Sequence, residues 1–366
     1  MSPPTKANIV KEKSIAAVIQ PRIHSAAKVP LEDQVPLSTP FSVHIDVCSV
    51  CNYKCSFCFQ ADSEAMKAVG LKRGMMDIAL FMKIVDDLKA FDQKIKKIKI
   101  GNHGEPTLHP DLPAMIRYAR DSGTAEIIEL FTNASRLEPE LNQALIDSGL
   151  QRINISLEGL SDERYRQVAG VKQNFSAIVE GVRHLYSIRG ECKIYVKIAD
   201  QTSALARDTT QKFVLSDAER DYFYETFGNI CDEIFIEKVV PQWAEVQLDK
   251  QNQVSETGMY AQKVKVDKDV CPFIFMYLHF NCDGTTSPCT LDWPRKVVVG
   301  NVEHTSVKDI WNGRQLRALQ VAMLEGKRCN IDFCKNCTAP VVCVEEDLDP
   351  HKASLLEKIR PLLAKA

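Results

Sequence analysis

FSVHIDVCSVCNYKCSFCFQ, residues 41–60, joins a short β-branched run, Ser42–Val47, to a loop dense in cysteine. Cys51, Cys55 and Cys58 stand at the spacing C-x3-C-x2-C. Three thiolates on one short loop can grip three irons of a [4Fe-4S] cube, because each iron takes a soft sulfur ligand. The fourth iron is then left for a ligand that is not protein, such as a substrate. Zinc is the alternative. It usually takes four ligands in paired knuckles, and only Cys48 lies close enough in sequence to join the three.

Outward from this loop, short apolar runs alternate with longer stretches of helical period. The strand candidates are Ser42–Val47, Lys97–Gly101, Ile127–Thr132, Arg152–Leu157, Lys193–Ile198 and Glu233–Val239. Between them the helix candidates are Asp77–Phe91, Pro110–Asp121, Glu138–Asp147, Asn174–Arg189 and Ser216–Phe227. Six strands alternating with helices predict an α/β fold of repeated βαβ units on a parallel sheet, open or curled into a partial barrel. Ligands of such folds sit at the C-terminal ends of the strands.

Residues 1–40 hold six prolines and no sustained period, which predicts an extended N-terminal arm. The alternation runs over residues 41–245 and then stops. Residues 246–345 carry a second cysteine group, a hairpin-like turn at Asp283-Gly284 and a helix candidate at Ser306–Leu324. Residues 346–366 are expected to end the chain in a helix. Glu237 to Trp243 leaves the sixth strand and is expected to face the barrel mouth.

The 366 residues carry 46 Lys and Arg against 48 Asp and Glu, a formal net charge of -2. That excludes a strongly basic nucleic-acid binder held mainly by phosphate contacts. Apolar stretches such as Pro272–Phe280 are too short to span a membrane. The run Ile15–Ile19 is shorter than a signal-peptide core, so a cytoplasmic location is expected, where thiols stay reduced. The 13 cysteines cluster, four at positions 48–58 and seven at 271–343. An odd, clustered set in a reducing compartment points to metal rather than disulfides. Cys192 and Cys231 stand alone and read as small buried hydrophobes.

The loop and its surroundings resemble the radical S-adenosylmethionine (SAM) enzymes. Their signature is C-x3-C-x-aromatic-C after the first strand of a partial (βα)6 TIM-like barrel, and Phe57 takes the aromatic position. HGEP, His103–Pro106, is similar to the family's GGEP motif, with His103 where Gly is frequent. The resemblance assigns Gly104 and Glu105 to the SAM amino group. FTNA, with Thr132 and Asn133, ends the third strand as TNG or TNA does. Ser156 and Glu158 of ISLEG match positions that reach the SAM ribose or carboxylate. Lys197 and Ile198 match the strand that flanks adenine. The resemblance implies a [4Fe-4S] cluster on Cys51, Cys55 and Cys58, with SAM chelated at the open iron. It also implies reductive cleavage of SAM to a 5'-deoxyadenosyl radical that abstracts hydrogen from a substrate.

In the C-terminal third, Cys271, Cys289, Cys334 and Cys337 make the best four-ligand set. The run CPFIFMYLHFNCDGTTSPC, then Gly300-Asn301, VKDIWNG and CKNC, resembles the SPASM/twitch domain of the same enzymes. Such a domain implies an auxiliary [4Fe-4S] cluster. Asp347 stands where longer SPASM domains continue with Cys, which favours the single-cluster form and leaves Cys282, Cys329 and Cys343 spare. A second auxiliary cluster is the alternative, with Cys282 and Cys329 joining Cys271 and Cys289. Cys334, Cys337 and Cys343 would then hold a site with an open iron. A zinc knuckle is a third reading.

An auxiliary cluster suits oxidation or epimerisation of a substrate radical. The sequence favours a small polar substrate, such as a sugar, nucleotide sugar or aminocyclitol. The residues before the first strand look too few and too proline-rich for a peptide leader-binding domain. A maturase acting on a peptide or protein is the alternative, and an iron–sulfur electron carrier the non-enzyme reading. A flavodoxin or ferredoxin type reductant is expected by resemblance. The catalytic base or hydrogen donor is left unassigned.

Overall fold

The computed structural model describes residues 15–23, 29–200, 214–240, 257–265 and 267–366. Its frame is a set of six parallel strands. These are β2 (Ser42–Ile45), β3 (Ile95–Ile100), β4 (Ala125–Thr132), β5 (Arg152–Leu157), β6 (Lys193–Asp200) and β7 (Glu233–Lys238), paired in sequence order. Alternation explains each strand. On β3, Ile98 and Ile100 are buried on one face, while Lys97 and Lys99 point to the other. β2 and β7 do not pair with each other, so the barrel is partial and open.

Each free edge gains a further strand. β1 (Val18–Ile19), from the N-terminal arm, runs parallel to β7, with Val18 opposite Glu233. β8 (Tyr277–Phe280), from beyond the barrel, runs parallel to β2, with His44 opposite His279. β9 (Thr285–Ser287) and β10 (Gly300–Asn301) extend this edge antiparallel. The C-terminal cysteine region is therefore continuous with the barrel sheet. The β8–β9 turn is tied by Asp283, whose Oδ1 accepts from the Thr285 N–H and hydroxyl. Gly284 takes φ +80 there, a left-handed value that favours glycine.

The helices start at side-chain caps. Asp77 caps Ile78–Asp87, Asn174 caps Phe175–Ile188, and Ser216 with Glu219 forms a capping box on Asp217–Phe227. A helix not expected from sequence, Asp162–Ala169, is capped by Ser161 and buries Tyr165, Val168 and Ala169. The stretch Ser306–Leu324, expected as one helix, is two, Val307–Asn312 and Arg314–Leu324. Gly313 between them is extended at ψ 157, which breaks the hydrogen-bond ladder.

One hydrophobic core runs through Ile45, Ile98, Ile155, Val196, Leu278 and Phe280, so β8 shares the barrel's core. A second cluster packs Phe59, Trp293 and Phe333 around the later cysteines. A third joins Leu31 and Val35 of the arm to Leu355 and Ile359 of the C-terminal helix Lys352–Lys365.

Candidate active site and metal centres

The first cysteine loop leaves the C-terminal end of β2 and is pinned from two sides. The Lys54 and Ser56 N–H groups donate to Ala169 and Val168 O at 2.8 and 2.9 Å, the last carbonyls of the unexpected helix. The Glu105 N–H donates to Val50 O at 2.9 Å. Beside it, a Cβ on Gly104 would sit 2.6 Å from Val50 O and closer still to Cys48 O, so only glycine lets loop and strand end approach this closely.

Burial pushes the Cys51 thiol up to about 11 and Cys58 up to about 12, and lifts Cys55 well above the ordinary thiol range. Such thiols become thiolates through metal rather than through a protein cation. Cys51 Sγ accepts from the Tyr53 N–H at 3.4 Å and from Asn133 Nδ2 at 3.9 Å. Among the described residues, no three cysteine sulfurs lie within 4.8 Å of one another. Ligands of one zinc, at Zn–S of about 2.3 Å, lie about 3.8 Å apart. Three soft thiolate donors are the ligand type that an iron–sulfur cluster takes.

The strand-end residues expected to meet SAM form a clasp. Glu105 Oε1 accepts from the Thr107 N–H at 3.0 Å, the Thr107 hydroxyl at 2.6 Å and the Thr132 hydroxyl at 2.7 Å. Its Oε2 accepts from the Asn133 N–H at 2.7 Å. Asn133 Nδ2 also donates to Asn52 Oδ1 at 2.9 Å, in the cysteine loop. Burial raises the Glu105 carboxyl, against these four donors. Gly104, Glu105, Thr132 and Asn133 thus lie together against the loop.

Phe57, Glu158 and Ile198 line one cleft with Leu157, Gly159 and Leu215. Burial lifts Glu158 to about 7, opposed by Lys197 and by a hydrogen bond from Cys55. Lys197 is not in that cleft. Strand alternation turns it to the other face of β6, where its ammonium pairs with Glu237. Ser156, on β5 and facing the same way as Lys197, is half-buried. Gln242 and Trp243 lie outside the described residues.

The second thiol set also gathers. Burial raises the thiols of Cys271, Cys289, Cys334 and Cys337 and takes Cys334 up to about 12, and Cys271, Cys289 and Cys334 each also feel the charge of Cys337. Cys343 joins this neighbourhood, feeling Cys337 and Cys271. Cys282 does not. Its Sγ lies 3.2 Å from Ser49 Oγ, beside Cys48. Cys329 is exposed, with its thiol donating to Asn330 Oδ1 at 3.5 Å. The alternative ligand set built on Cys282 and Cys329 is not assembled, because β8 carries Cys282 to the barrel edge. Cys192 and Cys231 are buried in the barrel core.

Two features were not singled out from sequence. Asp46 Oδ2 lies 2.8 Å from both His103 Nδ1 and His279 Nε2, and His103 Nε2 lies 2.6 Å from Thr290 O. Burial opposes ionisation of Asp46, but the two imidazoles hold its carboxyl well below the usual range. This buried group ties β2, the HGEP loop and β8 together. The second feature is a stack of Phe59 on Trp293, which joins the residue after Cys58 to the loop after Cys289. His103 in place of glycine was the one available signal. Its partners are distant in sequence.

Residues 45–202 match the model of the radical SAM superfamily, and residues 271–338 match the SPASM iron-sulfur cluster-binding domain. A probable GTP 3',8-cyclase of Metallosphaera sedula is 33% identical over 154 residues, 42% of this chain and 42% of that protein. An S-adenosyl-L-methionine-dependent 2-deoxy-scyllo-inosamine dehydrogenase of Niallia circulans is 22% identical over 307 residues, 84% of this chain and 96% of that protein. The crystal structure of BtrN in complex with AdoMet and 2-DOIA superposes with a TM-score of 0.51 at 20% identity, covering 84% of this chain and 97% of that one. This last likeness is one of fold. The chain spans 42%, 31% and 40% of the length of three curated relatives that it matches. No helix among the described residues is long and apolar enough to cross a membrane. The chain thus carries a radical SAM domain over residues 45–202 and a SPASM domain over residues 271–338.

Proposed function

We propose that this radical SAM superfamily member cleaves SAM reductively and abstracts hydrogen from a small polar substrate, a sugar, nucleotide sugar or aminocyclitol, leading to oxidation or epimerisation. The observation that carries the reading is the presence, in one fold, of a three-thiol loop at the strand ends and a separate buried four-thiol set. The near end-to-end match with a dehydrogenase of a small aminocyclitol supports the substrate class.

Cys51, Cys55 and Cys58 would hold a [4Fe-4S] cluster with one open iron, and Cys271, Cys289, Cys334 and Cys337 an auxiliary one. When bound, these groups and SAM supply a 5'-deoxyadenosyl radical and an electron acceptor. The protein's part is positioning. Gly104 lets the loop lie on the strand end. Glu105 fixes Thr132 and Asn133, and its Oε2 has a lone pair free for an ammonium donor. Phe57 and Ile198 offer apolar walls for a purine, and Glu158 an acceptor beside them. Lys197 holds Glu237 at the barrel mouth. A flavodoxin or ferredoxin type reductant in the cytoplasm would supply the electron.

The test is isotopic. Reconstituted, reduced protein is offered deuterated sugars, nucleotide sugars and aminocyclitols, and 5'-deoxyadenosine is examined by mass spectrometry. Deuterium transfer from one of these classes is the expected result. Formation of 5'-deoxyadenosine with no deuterium from any of these classes would overturn the substrate class.

A further inference from the structure

The inward faces of the barrel strands carry charge at two levels. At the floor, Arg152 pairs with Glu233 at 2.6 Å and with Glu129 at 3.1 Å. Nearer the strand ends, Lys197 pairs with Glu237. Two cations of another kind join these inward faces. Lys99 is the register partner of His44 on β2 and Glu129 on β4. Its ammonium nevertheless has no hydrogen bond or ion pair among the described residues. Arg22 enters from the N-terminal arm. Its backbone N–H donates to Tyr195 Oη at 3.0 Å, and its Nη2 donates to Tyr260 Oη at 2.9 Å. The guanidinium lies 5.1 Å from the Phe131 ring centre and reaches no carboxylate among the described residues.

These groups face one interior, because Phe131 beside the guanidinium and Glu129 opposite Lys99 lie on the same face of β4. Lys99 feels the charge of Arg22, and Arg22 feels Glu129, Glu237, Tyr195 and Tyr260. Glu237 Oε1 is buried without a hydrogen-bond partner. Both side chains are half-buried, and Glu129 and Glu237 balance them only through space, so neither cation has a direct partner of opposite charge among the described residues. An anion could take both as direct partners, with the guanidinium as a planar fork and the ammonium as a point charge.

We propose that Arg22 and Lys99 bind an anionic group of the substrate, a phosphate or a carboxylate, while Glu237 Oε1 accepts from a substrate hydroxyl. The inference rests on the enzyme reading above and narrows it. Among the small polar classes it selects a sugar phosphate, nucleotide sugar or sugar acid, and disfavours a cationic aminocyclitol. It also makes the N-terminal arm part of the substrate site.

The experiment is calorimetric titration of the full-length reconstituted protein with inorganic pyrophosphate and, separately, with gluconate. The expected result is saturable one-site binding of one of them, the tighter probe showing whether phosphate or carboxylate is the ligand. Binding should weaken about tenfold or more in Arg22→Gln and in Lys99→Met, the scale of a lost charge-assisted contact. Lys99→Met should keep the thermal midpoint, since the ammonium makes no hydrogen bond or ion pair among the described residues, so its loss of binding is not unfolding. No saturable binding, or equal binding by both variants, would overturn the inference. SAM cleavage is followed in the same preparation. Cleavage without anion binding overturns this inference alone. Anion binding without cleavage upholds the site and overturns the enzyme reading.

Discussion

The ring of Phe59 lies flat on the indole of Trp293, with centroids 4.9 Å apart and planes within 7°. Phe59 follows Cys58 directly, and Trp293 lies four residues beyond Cys289. Both rings are buried, and Phe59 also meets His103 edge-on at 5.3 Å. The two thiol sets are thus joined by an aromatic contact as well as by the Asp46 network.

That contact predicts a large stability loss on truncation. Phe59→Ala and Trp293→Ala should each cost about 3–5 kcal/mol in denaturant unfolding of the metal-free protein. Trp293→Phe should cost much less, because the indole N–H has no partner to lose. Equal costs for Trp293→Ala and Trp293→Phe would contradict the stacking account.

Gly104→Ala should disturb the cysteine loop without touching a thiol. Its Cβ would meet the carbonyls of Cys48 and Val50, which are backbone atoms and cannot swing aside. The expected outcome is reduced iron incorporation on anaerobic reconstitution. Wild-type iron content at wild-type thermal stability would show that the loop does not need this approach.

Glu105→Gln replaces an acceptor of four hydrogen bonds by an amide that can accept at only one of its two ends. A donor–donor contact follows at either the Thr107 N–H or the Asn133 N–H, both fixed backbone donors. The expected cost is about 2–3 kcal/mol in urea unfolding, with weaker SAM binding. A neutral effect on both would mean that the clasp is not what orders the two strand ends.

Lys99 predicts a pH signature. Burial and the charge of Arg22 push it down to about 7 from an ordinary 10.5, with Lys97 adding to the fall and Glu129 opposing it. His44 faces it from β2. Between those two pH values the unfolded chain binds the proton and the folded chain releases it. The penalty is full below about pH 7, and stability should rise from there toward pH 10.5. Urea unfolding across this range, for wild type minus Lys99→Met, should show that slope. A flat difference would mean that Lys99 finds an acidic partner in solution.

Much of the barrel was legible because its strands are locally alternating and its helices locally capped. Arg152–Leu157 was readable to the residue, since RINISL alternates cleanly between the two faces. The helix Asp162–Ala169 was not, because DERYRQVA is polar overall and buries only a narrow stripe around Tyr165 and Val168. The break at Gly313 was hidden by continuous helical periodicity on both sides. The pairing of β8 with β2 was illegible for a different reason. It is parallel and spans more than two hundred residues, so no turn chemistry announces it. The thiol sets were readable from spacing, while the Asp46–His103–His279 group and the reach of Arg22 into the barrel depend on contacts that only the fold brings together. Lys197 shows the limit within a motif. Its neighbour Ile198 lines the cleft, and alternation sends Lys197 itself to Glu237.

The most direct test of the account is iron and sulfide per chain after anaerobic reconstitution, with 5'-deoxyadenosine formation followed in the same sample. Two four-iron clusters predict about eight irons per chain. Cys55→Ala should abolish SAM cleavage and leave about four, and Cys334→Ala should lose the other set. Cys282→Ala should keep all of them. Zinc in place of iron, or a full iron content without SAM cleavage under strong reduction, would contradict the radical-enzyme account.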